Sequence, residues 1–71
     1  MIRQQVTSLL LQSVGYDPQE NILEIEFWDG EIHQYTGVPE SAYTELMEAD
    51  SHGWHFRIKF AGKYPSSKIQ Q

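Results

Sequence analysis

Ile22-Leu23-Glu24-Ile25-Glu26-Phe27-Trp28-Asp29-Gly30-Glu31-Ile32-His33-Gln34-Tyr35 decides the fold class. Leu23, Ile25 and Phe27 alternate with Glu24 and Glu26, which is the period-2 signature of a strand with one face buried. Asp29-Gly30 is a pair suited to a tight hairpin turn, and Glu31 to Tyr35 is the returning strand. If Asp29 and Gly30 are the two loop residues, Phe27 faces Ile32, Glu26 faces His33 and Glu24 faces Tyr35. Leu23, Ile25, Phe27 and Ile32 then make the core face, and Glu24, Glu26, Trp28, His33 and Tyr35 make an aromatic and acidic outer face. A three-residue loop would instead move His33 and Tyr35 to the core side, because a slip of one residue exchanges the faces. The two-residue loop is the favoured expectation.

Upstream, Val6 to Tyr16 is apolar at positions 6, 9, 10, 11, 14 and 16, which matches neither the helix nor the strand period. Asp17-Pro18 after it marks a turn. Downstream, Val38-Pro39-Glu40-Ser41 opens a helix, since proline suits its first turn and Glu40 suits the positive end of its dipole. Ala42, Tyr43, Leu46 and Ala49 give that helix one apolar side, and it should end near Asp50. Trp54, Phe56, Ile58 and Phe60 alternate with His55, Arg57 and Lys59 and read alone as a strand. Ser51 as an N-cap and the Phe56/Phe60 spacing allow a short helix instead. Ser66-Ser67 reads as solvated tail. The expected class is α+β: a small antiparallel sheet of three or more strands, the Pro39 to Asp50 helix packed on one face, and a short helical or extended element after it.

The chain has 71 residues, room for one domain with a modest core. With 39% hydrophobic and 21% charged residues it is too apolar to be disordered. It has no cysteine, which excludes a disulfide framework and a thiolate metal site. No apolar run approaches the roughly 18 residues of a membrane span. Met1-Ile2-Arg3-Gln4-Gln5 lacks the layout of a signal peptide, so the expectation is a cytoplasmic protein. Net charge is −5, and its distribution is uneven. All 10 acidic residues lie between Asp17 and Asp50, and no Lys or Arg falls among them. Arg57, Lys59, Lys63 and Lys68 follow, leaving an acidic body with a basic end. Such asymmetry fits a nucleic-acid footprint, a head-to-tail contact between copies, or elements that neutralise each other within one fold.

Val14-Gly15-Tyr16-Asp17, Leu23-Glu24-Ile25-Glu26-Phe27, Gly30, Val38-Pro39 with Tyr43 and Leu46, Ser51-His52-Gly53 with Phe56, and Lys63-Tyr64-Pro65 occur in that order. The set resembles the KTSC domain, named from the C-terminus of some lysyl-tRNA synthetases and also found as a small free-standing bacterial protein. The similarity runs from about Val6 to Pro65, a single domain. It departs from the family pattern at His33-Gln34-Tyr35, where the family's Tyr-x-Tyr keeps only its second tyrosine. It departs again at Ser8-Leu9, His55-Phe56-Arg57 and Phe60-Ala61. The resemblance implies no established activity. It carries a proposal of nucleic-acid binding, RNA especially, and it favours a short helix between Ser51 and Phe60.

The histidines, serines and acids show no spacing that would pair a nucleophile with a base and an orienting group, so a non-enzymatic domain without cofactor is expected. His52 and His55 with Asp50 have a spacing that can bind a divalent metal on a helix; two exposed histidines around Gly53 is the plainer reading, and no metal site is expected. Two surfaces are candidates for nucleic acid. His33 and Tyr35 with Trp28 would form a stacking face on the sheet, but Glu24, Glu26 and Glu31 share it and repel phosphates. Trp54, His55, Phe56, Arg57, Lys59, Phe60, Lys63 and Tyr64 interleave aromatic rings with cations, the mix that follows a phosphate backbone and stacks on bases. A core this small also needs some of Trp54, Phe56, Ile58 and Phe60. The sequence points to a weak, salt-sensitive nucleic-acid-binding accessory domain; the alternative is a protein-interaction or self-association module.

Overall fold

The computed structural model describes residues 1–69. The elements run β1 (Arg3–Gln5), β2 (Leu11–Asp17), β3 (Ile22–Phe27), β4 (Ile32–Tyr35), α1 (Glu40–Glu48), α2 (His52–Lys59) and β5 (Ser66–Ile69). The strands form one antiparallel sheet in the order β1-β2-β3-β4-β5, with both helices inserted before the last strand. The class is α+β, as the sequence indicates.

The β3–β4 hairpin forms with the other register. Leu23 faces Tyr35, Ile25 faces His33 and Glu26 faces Ile32, so the expected Phe27–Ile32 and Glu26–His33 pairs do not exist. The loop is Trp28-Asp29-Gly30, closed by Phe27 N–H donating to Glu31 O at 2.9 Å and Gly30 N–H donating to Phe27 O at 3.0 Å. The reason is conformational. A two-residue turn of the kind Asp-Gly favours needs positive φ at both residues. Only Gly30 has it, at φ 93°, while Asp29 keeps negative φ and accepts Glu31 N–H on its Oδ1 at 2.9 Å. The slip turns Tyr35 into the core and moves Ile32 to the opposite face, where it is buried against Ile69 of β5.

One buried cluster joins Leu11 and Val14 of β2, Leu23 and Ile25 of β3 and Tyr35 of β4 with Val38, Leu46 of α1, and Phe56 and Phe60 at α2 and its end. Burying each large apolar side chain is worth about 1.5–3 kcal/mol. Burial raises the Tyr35 phenol above the ordinary tyrosine value. Tyr16 stacks on Tyr43 of α1, with centroids 4.9 Å apart.

The mixed period of Val6 to Tyr16 has two causes. Ser8 Oγ accepts N–H bonds from Leu10 and Leu11 at 3.1 Å, making a turn between β1 and β2. A bulge then shifts the β2–β3 register between Leu11 and Ser13, which breaks the alternation that a regular strand would show. The Ser51 to Phe60 segment is helical, capped by Ser51 Oγ accepting Trp54 N–H at 3.2 Å. Ser66-Ser67, expected as tail, is paired as strand β5 with Tyr35 and Gln34. Its exposed polar side chains hid a backbone that β4 holds.

The acidic residues of β3 are occupied within the fold. Glu24 is 6% exposed and takes the Arg3 guanidinium from β1 and Gln34 Nε2 from β4, the latter at 2.8 Å. Arg3 Nε donates to Ser13 Oγ at 2.9 Å, and that hydroxyl donates to Glu26 Oε1 at 2.8 Å. A carboxylate this buried persists only when paired.

Candidate functional site

The residues singled out by sequence separate into two groups. Tyr35 is in the core at 6% exposed, its ring against Phe56. His33 is half-buried on β4; its Nε2 meets Glu31 Oε1 at 3.0 Å and its ring packs edge-on to Phe27. Lys68 Nζ reaches the other Glu31 oxygen at 3.2 Å. The hydrogen bonds from His33 and Lys68 hold the Glu31 carboxyl below the ordinary value. Trp28 is exposed but its indole N–H is anchored to Ser8 O at 2.8 Å. The sheet aromatics therefore do not make one open stacking face.

The second group sits on α2 and the loop after it. Trp54 is 62% exposed, and its backbone is fixed by the Ser51 cap, so the indole stands on a rigid first turn. Arg57 and Lys59 are exposed in the last turn of α2, where the helix dipole favours cations, and Lys63 is exposed beyond it. Among the described residues, Arg3 and Lys68 have carboxylate partners within 4.0 Å, whereas Arg57, Lys59 and Lys63 have none. His55 and Tyr64 are half-buried, each leaning on Phe60 at 6.2 and 5.4 Å. They support the helix more than they extend the surface.

Two grooves flank this helix. The larger, about 530 Å³, lies between the Ser8–Leu10 turn and the start of α2 and includes Asp50, Trp54 and Arg57. The smaller, about 250 Å³, includes Trp54, Ile58 and Lys59. Gly53 allows the close approach on the first side: a Cβ there would meet Ser8 Oγ at 3.1 Å and Leu10 Cβ at 3.2 Å. Sequence reasoning missed the Ser8–Leu10 turn as a wall of the site. His52 is turned inward, its Nδ1–H donating to Leu46 O at 2.9 Å. Among the described residues no three of His, Cys, Asp and Glu converge to hold a metal, and no helix is long and apolar enough to cross a membrane.

Known proteins are similar to this chain over most of its length. A KTSC domain protein from Yersinia pestis has the same fold with TM-score 0.93 and 43% identity, covering 97% of both chains. A protein of Stutzerimonas stutzeri, named only as uncharacterized, is 45% identical over 60 residues, 84% of each chain. A lysine–tRNA ligase of Nostoc punctiforme is 30% identical over 60 residues, which span 84% of this chain and 11% of that one. Residues 7–64 match the model of the KTSC domain. With the fold, the matched span and the identity in agreement, the chain belongs to the KTSC domain family.

Proposed function

We propose that this domain is a non-enzymatic accessory module that binds single-stranded nucleic acid weakly through α2. The observation that carries the reading is the exposed Trp54 beside Arg57, Lys59 and Lys63, cations without a carboxylate partner among the described residues. Stacking on the indole supplies contact with any base, and the cations supply phosphate neutralisation. The glutamates of β3 oppose this less than their number suggests, because Arg3 and Ser13 engage Glu24 and Glu26. Similarity to part of a lysine–tRNA ligase, a protein named for an RNA substrate, points the same way. Titration of labelled single-stranded RNA and DNA at two salt concentrations tests it. Binding that weakens as salt rises supports the reading, and no binding to either strand at low salt refutes it.

A second reading, a protein-interaction or self-association module, rests on Leu9, Trp28 and Ile58. These apolar side chains are 103%, 56% and 45% exposed. A concentration-dependent dimer in sedimentation, without nucleic-acid binding, would establish it.

A further inference from the structure

Trp54 lines both grooves. It lines the larger one with Arg57 and the smaller one with Lys59, and Asp50 and Ser51 also line both. The exposed Trp54 thus borders both grooves, with Arg57 in one and Lys59 in the other. Building on the nucleic-acid reading, we infer that Trp54 inserts between two successive bases of a single strand, one base in each groove.

The polar groups fix how such a strand lies. Asp50 repels phosphates, so the backbone runs on the side of Arg57 and Lys59. Asp50 and Ser51 then meet the base edges, where a carboxylate accepts from an exocyclic amino group. No cation of the described residues lies within 4.0 Å of the Asp50 carboxylate, which leaves it free to accept. Cytosine carries such an amino group, as N4–H₂. A flat surface tryptophan stacks one base; a tryptophan that borders two grooves stacks two. The unit recognised is therefore a dinucleotide step rather than a single nucleotide or a continuous track.

The test compares the dinucleotide pCpC with its two abasic forms, each lacking one base and keeping both phosphates. Binding is followed by NMR through the backbone amides of α2, which the native protein and the variant share. Each stacked base is worth about 5- to 150-fold in affinity by its stacking energy. The expected result is that pCpC binds tighter than either abasic form by a factor in that range, and that Trp54→Leu abolishes the difference while its amide spectrum stays native. If pCpC and the abasic forms bind equally, and a ten-residue oligocytidylate still binds in a salt-dependent way, the nucleic-acid reading survives and the insertion is wrong. If the long strand does not bind at low salt, both fall. Loss of the Trp54 signal on concentrating the free protein would then assign the surface to a second copy.

Discussion

Tyr35 and Phe56 meet edge to face, with ring centroids 5.5 Å apart and planes at 74°. This contact exists because the hairpin turns on three residues; with a two-residue loop, Tyr35 would stand on the other face of the sheet. Phe56 also meets Phe27 at 5.5 Å and stacks near Phe60 at 6.1 Å, so one helix side chain ties α2 to both strands of the hairpin.

Phe56→Ala should therefore be among the most damaging single changes. Phe56 is 4% exposed, and truncating such a ring costs about 3–5 kcal/mol. Total stability of native proteins is about 5–15 kcal/mol, and a small domain sits at the low end. Urea denaturation followed by circular dichroism should show the variant largely unfolded or with its midpoint far lower. A loss under about 1 kcal/mol would mean that Phe56 is not the joint described.

Glu31 should set part of the acid limb of stability. The side-chain hydrogen bond from His33, then those from Lys68, lower its carboxyl below the ordinary value. A depressed folded-state value contributes stability above the unfolded value, and that contribution is lost as pH falls through the folded one. Thermal melts in steps below pH about 5, where glutamates begin to titrate, should show the native protein losing stability more steeply than Glu31→Gln. Parallel curves for the two would show that the clasp contributes nothing. The effect should also shrink in high salt, since this carboxylate is open to solvent.

How much was legible depended on whether a side-chain period reported the backbone. β3 reads plainly because Leu23, Ile25 and Phe27 alternate without interruption, and α1 reads from Pro39 to Leu46. The hairpin register turned on the sign of φ at Asp29, which a residue type biases but does not fix. β2 was obscured by its bulge and by the Ser8 turn. β5 was invisible because Ser66, Ser67 and Lys68 are exposed at the sheet edge, and only its pairing with β4 makes it a strand. The cations of the candidate site were legible from charge order. The groove beside them was not, since its far wall comes from the Ser8–Leu10 turn at the other end of the sequence.

Gly15 should resist replacement although its φ is ordinary. A Cβ there would lie 2.9 Å from Arg3 Cγ and 3.0 Å from Ile2 O, so the first strand lies directly on it. Gly15→Ala must push β1 outward and loosen the Arg3–Glu24 pair. Overpacking of this kind typically costs about 1–3 kcal/mol. Amide exchange resolved by NMR should speed up most in Arg3–Gln5 and at Gln34, with smaller change in α2. Uniform exchange rates across the sheet would argue against this close approach.

The last expectation separates the two contributions within the proposed binding surface. Arg57, Lys59 and Lys63 are the described cations without acid partners, so they must carry the phosphate contacts. With about three phosphates neutralised on a single strand, log affinity against log salt should slope at about −2. Arg57→Ala with Lys59→Ala should flatten the slope to about −0.7, because one cation remains. Trp54→Ala should act differently: the ring is exposed, so the fold tolerates its loss, and affinity should drop by about 1–3 kcal/mol for each base stacked on it, with the slope unchanged. Fluorescence anisotropy of a labelled single strand at four salt concentrations measures both quantities for each variant. A slope insensitive to the double substitution would place the phosphate contacts elsewhere and remove α2 from the binding surface. Should the double variant instead disrupt a dimer seen by sedimentation, the exposed acids of α1 would be its partners. The same residues would then belong to an interface between copies.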